Sequence, residues 1–254
     1  MVLMAQVEYK VKVKGIECSE PICFQPNSNS GITNVEINCT DCDSDYYDMS
    51  IKLAVDNDSA QVEEFVSKIL NVFSYRFGML YKNLMKTSDS RILASGAITI
   101  FNNSDYHVLS QSDSAEIIND LGNQSFENDI LGNPYVSLLL NSLRVEGDVG
   151  RFIQLYGLLQ IVVPTKASRL GKPALQEEVN AFITDTGFSF YDVNEDKPTT
   201  RPGKTGNDTI YTWLRNQVGH TATSTNVADV QNQIEAKVND LFFITKKAIE
   251  NYKL

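Results

Sequence analysis

The chain opens on strict alternation. In VEYKVKVK, Val7, Tyr9, Val11 and Val13 share one face and Glu8, Lys10, Lys12 and Lys14 the other, the period-two signature of a half-buried strand. YYDMSIKLAV repeats it, with Tyr47, Met49, Ile51, Leu53 and Val55 set against Asp48, Ser50 and Lys52. Between them ITNVEIN (Ile32 to Asn38) is a weaker strand reached through the turn-rich PNSNSG. These three segments predict an antiparallel sheet. The period then lengthens. Val62, Phe65, Val66, Ile69, Phe73, Phe77, Leu80 and Leu84 predict one long helix, opened by Asp58 and Gln61 at capping-box spacing. AITIF (Ala97 to Phe101) predicts a further strand. Asn102 to Pro134, rich in Asn, Ser and Asp, reads as a junction between domains rather than a fold of its own.

From Tyr135 onward strand signals largely vanish. Val149, Phe152, Ile153, Tyr156, Leu159 and Val163 mark one helical face, Leu155, Leu158 and Val162 a second, and Pro164 ends the run. A helix apolar on two faces belongs at the centre of a bundle. PALQEEVNAFITDTG predicts a second helix with Pro173 at its first position and Gly187 as its stop. A loop from about 192 to 206 follows. A short helix then begins near Asp208 with Ile210, Trp213, Leu214 and Val218 inward, and Asn226 with Asp229 caps a long final helix. The chain thus reads as an α+β N-terminal domain (antiparallel strands plus a long helix) over 1–130, its boundary between 105 and 130, followed by an all-α four-helix domain over 135–254.

Charge sharpens this division. The net charge is −10, which argues against broad coating of nucleic acid or an anionic membrane. Residues 1–130 hold 9 Lys+Arg against 19 Asp+Glu, whereas residues 131–254 hold 13 of each. The excess therefore belongs to the first half, and a local nucleic-acid site in the second stays compatible with the total. No apolar run approaches the ~20 residues that span a bilayer, and MVLMAQVEYK lacks a basic region followed by an apolar core. A cytoplasmic protein without membrane partners is expected. Cys18, Cys23, Cys39 and Cys42 form C-x4-C…C-x2-C, close to a four-thiolate zinc pattern but without the tight first pair and glycine-rich knuckles of zinc ribbons. Free cytosolic thiols are the plainer reading, and neither metal nor cofactor is expected.

Familiar catalytic motifs are few. RPGKTG ends like a phosphate-binding loop, yet Pro198 stands where its first glycine belongs and no strand leads into it. G-x-S-x-G and H-E-x-x-H are absent. Two histidines exclude a multi-histidine metal centre, and His107 reads as an ordinary surface or packing residue. That leaves WLRNQVGHT, where Arg215 precedes His220 by five residues. On an ideal helix such residues point about 140° apart. Gly219 can end the helix and let the imidazole swing.

At this point the sequence resembles the HEPN superfamily, whose R-x4–6-H motif commonly carries Asn, Asp or His directly after the arginine. Arg215-Asn216-Gln217-Val218-Gly219-His220 fits at the x4 spacing. GDVGRFIQLYGLLQIV is similar to the opening helix of ApeA-like and MauJ-like members, and the resemblance covers residues 135–254. Several relatives carry a glutamate late in that helix, where Gln160 stands here.

The resemblance implies a HEPN-like helical domain acting as a metal-independent endoribonuclease in a defence or toxin-like role, and a homodimer that brings two motifs together. Its site would comprise Arg215, Asn216 and His220. RNA supplies its own nucleophile, the 2′-hydroxyl; an imidazole moves protons near neutral pH, a guanidinium holds the phosphoryl oxygens, and Asn216 orients either group. Lys166, Arg169, Lys172, Arg201 and Lys204 are candidates to track RNA phosphates, against a plainer reading as solvated loop charge among Glu177, Glu178, Asp192, Glu195 and Asp196. The N-terminal half carries no catalytic signal, and a sensor or protein-docking role is expected of it. Two other readings stand beside the nuclease: a non-catalytic HEPN-like module binding a nucleotide or a protein, and a structural or interaction protein in which Arg215 and His220 only cap a helix.

Overall fold

The computed structural model describes residues 5–26, 31–40, 46–56, 61–89, 107–166, 169–219 and 226–254. An antiparallel sheet is followed by a mostly helical region, and the chain divides into two compact units, Met1–Gly132 and Asn133–Leu254.

In the first unit the alternating segments form the predicted strands: β1 (Ala5–Lys14), β4 (Ile32–Thr40) and β5 (Tyr47–Val55), with short β2 (Ile16–Cys18) and β3 (Ile22–Phe24) between β1 and β4. The five-stranded order is β3-β4-β5-β1-β6, where β6 is Leu80–Asp89. Register places Val7 opposite Leu53 and Val11 opposite Met49, so the apolar positions of neighbouring strands share one face. Helix α1 (Val62–Phe77) buries Val66, Ile69, Leu70 and Phe73 in the same core.

The long helix predicted through Leu84 is shorter than expected. It stops at Gly78, which adopts φ 65° and donates its N–H to the Ser74 carbonyl. A left-handed residue there reverses the chain at little cost because glycine has no Cβ. Leu80 and Leu84 instead belong to β6, which pairs antiparallel with β1. Asp58 of the expected capping box and the AITIF segment lie outside the described residues.

The expected junction is also corrected. Its described part holds β7 (His107–Leu109), paired parallel to β2, then α2 (Gln111–Gly122) and a π-helical turn (Phe126–Leu131). Ser110 and Asp113 form a reciprocal capping box on α2, and Ile117 and Leu121 join the core. Arg76 of α1 fixes α2 through Asp120 at 2.5 Å and through Glu116.

The second unit has five described α-helices rather than four: α3 (Pro134–Ser142), α4 (Asp148–Val162), α5 (Gln176–Thr186), α6 (Ile210–Gly219) and α7 (Val227–Tyr252). The additional one, α3, starts with Asn133 accepting the N–H groups of Tyr135 and Val136 ahead of Pro134. Helix α4 packs against the other four, as its two apolar faces require. Helix α5 begins at Gln176 instead of Pro173, because the Glu178 carboxylate accepts the Leu175 N–H at 2.7 Å and sets the first turn there. Gly187 ends it with φ 64°, and Asn226 caps α7 by accepting the Asp229 N–H. Two short strands, β8 (Lys197–Pro198) and β9 (Asn207–Asp208), pin the loop before α6. No helix among the described residues is long and apolar enough to cross a membrane.

Candidate functional site

Helix α6 carries most of the candidate chemistry. Thr209 opens it, its carbonyl accepting the Trp213 N–H at 2.9 Å. Ile210 and Leu214 face inward as expected, but Trp213 and Val218 are only half-buried, and Tyr211 takes the deep position. Thr212 and Asn216, one turn apart, are also buried, at 0% and 3% exposure. A polar stripe therefore runs down the inner side of this helix.

That stripe is hydrogen-bonded throughout, as burial demands. Asn216 Oδ1 accepts from Gln176 Nε2 at 2.7 Å and from Arg215 Nη1 at 3.2 Å, while its Nδ2 donates to Gln176 Oε1 at 3.2 Å. Its amide thus clamps α6 to the first residue of α5 and holds the neighbouring guanidinium. Above it, Thr212 and Thr209 donate to Asn180 Oδ1 at 2.5 and 2.9 Å, and the Tyr156 hydroxyl meets Thr212 Oγ1 at 2.8 Å. Burial pushes the Tyr156 phenol up to about 12, although the Thr212 hydrogen bond and the Arg215 charge pull the other way. The Tyr156 phenol therefore stays protonated at neutral pH.

Arg215 is half-buried, and a Cβ placed on Gly219 would stand 3.8 Å from its Nη1. The guanidinium thus lies along the end of α6, beside the residue that precedes His220. Gly219 remains within the helix. His220 lies outside the described residues, as does Cys42; His107 begins β7, with its side chain likewise outside them.

Three of the five candidate phosphate-tracking cations meet at one concavity. Arg169, Arg201 and Lys204 line a cleft of about 510 Å³ together with Gln160, Gln176 and the segment Pro173–Leu175. Lys166 and Lys172 are exposed, outside this lining; the Lys166 main-chain N–H donates to Glu178. Arg201 has a second duty. Its Nη2 meets the fully buried Asp208 at 2.7 Å and its Nη1 meets Glu177 at 2.9 Å. Asn180 Nδ2 gives Asp208 Oδ1 a further bond at 3.0 Å. Lys204 shares Glu177 at 3.2 Å. Glu177 is held below the usual carboxylate range by its own main-chain amide and then by these two cations, with partial desolvation opposing. Arg169 donates to the Pro173 carbonyl at 2.9 Å, and no carboxylate forms an ion pair with it among the described residues.

Gln176, Asn180, Tyr156 and Asp208 belong to no motif that marks them in the sequence. The i, i+4 spacing of Thr212 and Asn216 was a legible sign that α6 turns polar groups inward; their partners on other helices left no such sign.

The three described cysteines do not converge on one point. Cys18 is in the core and Cys39 packs against it. Cys23, opposite Glu36 on the exposed positions of β3 and β4, faces the other side of the sheet. The Cys18 and Cys39 thiols hydrogen-bond to each other, which lowers Cys18 and raises Cys39. Among the described residues no group of three or more His, Cys, Asp or Glu side chains is placed to hold a metal ion.

Compared with family models, curated proteins and solved structures, the chain matches none.

Proposed function

We propose that the helical unit is a metal-independent endoribonuclease of the HEPN type. The observation that carries this reading is the placement of Arg215: a half-buried guanidinium at the end of α6, fixed by Asn216, which Gln176 fixes in turn. A preformed cation is what a phosphoryl group acquiring charge requires, since it needs no reorganisation during the reaction. In this mechanism His220 takes the proton of the attacking 2′-hydroxyl, whose oxygen bonds to phosphorus as the P–O bond to the 5′-oxygen breaks; the imidazolium returns the proton to the departing oxygen, leaving a 5′-hydroxyl and a 2′,3′-cyclic phosphate. Arg215 binds the non-bridging oxygens. A homodimer built on the helical unit supplies two such motifs, and the sheet unit serves as sensor or protein-docking module of a cytoplasmic enzyme.

The test is cleavage of a labelled RNA in excess chelator by the full chain and by His220→Ala. Loss of a proton-transfer group lowers the rate by about 10²–10⁴-fold. An inactive parent, or an unchanged rate in the variant, sinks the proposal. The non-catalytic nucleotide-binding reading draws support from one feature: both polar ends of the Asn216 amide are occupied by Gln176. Affinity for RNA without turnover would favour it.

A further inference from the structure

The concavity beside Gln176 is open to solvent, and its volume of about 510 Å³ is enough to seat one small ligand against its wall. Its composition is uneven. Pro173, Ala174 and Leu175 give it an apolar wall, and Arg169, Arg201 and Lys204 bring three positive charges against the single carboxylate of Glu177. Asp208 neutralises part of Arg201 from behind and the Glu178 carboxylate acts on Arg169 from outside the lining, yet the lining itself holds three cations against Glu177, and Arg169 spends one N–H on the Pro173 carbonyl rather than on a carboxylate. An apolar wall beside guanidinium and ammonium groups suits a flat, weakly polar ring joined to an anion.

We propose that this cleft binds one nucleotide, with the phosphate on Arg169 and Lys204 and the base against the Pro173–Leu175 wall. The inference deepens the ribonuclease reading and rests on it for the source of the nucleotide, a residue of the RNA chain beside the scissile bond. Gln176 gives the cleft a route to the reaction centre. It lines the cleft and holds Asn216 through two hydrogen bonds, and Asn216 holds Arg215. Gln176 is a positioning residue.

Titration calorimetry of the full chain with AMP, adenosine and inorganic phosphate tests the assignment. AMP is expected to bind, adenosine to bind at least about tenfold more weakly because the charge-assisted contacts are lost, and phosphate alone to fall between them. Arg169→Gln and Lys204→Gln should each weaken AMP by about tenfold or more on the same grounds. Glu177→Gln should strengthen it, since it removes the negative charge from the lining; a purely structural role for these residues predicts no such opposite sign. Lys247→Gln, on the exposed side of α7, is the control and should leave AMP binding unchanged. Arg201 is left intact because its loss would strand Asp208. A short RNA with the same variants separates the two sources: equal losses for AMP and RNA assign the site to an RNA residue, whereas losses for AMP alone assign it to a free nucleotide and overturn the RNA source. AMP that fails to bind, or binds equally well to all variants, overturns the proposal even if RNA is cleaved. RNA cleavage that fails while AMP binds as described overturns the nuclease reading instead.

Discussion

Breaking the ion pair between Arg201 and Asp208 from the arginine side should be costly to the helical unit, although the intact pair adds little net stability. Asp208 is fully buried, and its Oδ1 takes 2.7 Å and 3.0 Å bonds from Arg201 and Asn180. Arg201→Met removes the only cation paired with it among the described residues and leaves a buried carboxylate held by one amide. Breaking a buried pair from one side costs roughly 3–5 kcal/mol. Arg201 retains 22% exposure, so water reaches the gap and the cost falls at the low end, about 3 kcal/mol. Asp208→Asn should cost less, because it leaves no buried charge and Arg201 keeps Glu177 at 2.9 Å. The double variant should therefore be more stable than Arg201→Met alone. Trp213, the single tryptophan, is on α6, so its fluorescence in a urea titration follows this unit without a two-state assumption for the whole chain. A loss under about 1 kcal/mol for Arg201→Met, or a larger loss for Asp208→Asn, would refute the reasoning, which sets both against the buried-pair magnitude.

Asn216→Ala should lower the stability of the same unit by about 1–3 kcal/mol, since it strands the Gln176 amide, and should also lower RNA cleavage; denaturation and rate measured together check both. Arg215→Lys should recover only part of the activity lost in Arg215→Ala, because an ammonium lacks the planar two-pronged donor, and a gel-based cleavage assay reads the difference. Gly78→Ala should destabilise the sheet unit by about 1 kcal/mol or more, as it places a Cβ at φ 65°, and circular dichroism during unfolding would detect it. Asp240 sits above the ordinary aspartate range through burial, opposed by Lys237 and the Tyr211 hydroxyl. A carboxyl raised on folding contributes stability below its unfolded value that is lost as pH rises through the folded one. Asp240→Asn should therefore stabilise the helical unit at pH 7, with the gain vanishing in acid; a gain that grows on acidification would be the wrong sign.

The sequence disclosed the parts of the fold set by local period and lost those set by partners. β1, β5 and α4 were legible because one face of each is apolar at a fixed spacing. α1 was overextended because Leu80 and Leu84 continue its period by accident, whereas Gly78 alone decides where it ends. The α2 segment resembles a junction in sequence although Ser110 and Asp113 carry a capping box, since its polar face outweighs Ile117 and Leu121. At the site, spacing marks Arg215, and the resemblance with its implied RNA marks five loop cations. Neither has a means of separating Arg169, Arg201 and Lys204, gathered by the fold at one cleft, from Lys166 and Lys172. That distinction depends on residues 160 and 176 approaching one another across α4 and α5.

A helix that served only to cap and pack would gain most from an apolar inner face. α6 instead turns Thr212 and Asn216 inward and draws Asn180, Tyr156 and Asp208 into the interior around them. Each such group costs about 1–3 kcal/mol if unbonded and contributes little net stability when bonded, so aliphatic residues of similar volume would stabilise the unit as well. Stability alone gives no reason for this choice. Position does: two bonds from Gln176 fix the Asn216 amide, the Asn216 oxygen holds Arg215, and the same Gln176 borders the cationic cleft. A guanidinium anchored through such a chain keeps its geometry before any ligand arrives, which is what electrostatic stabilisation of a phosphoryl group needs. The polar interior of α6 is the arrangement that the proposed site at Arg215 would require, and it belongs to the same proposal as the R-x4-H spacing.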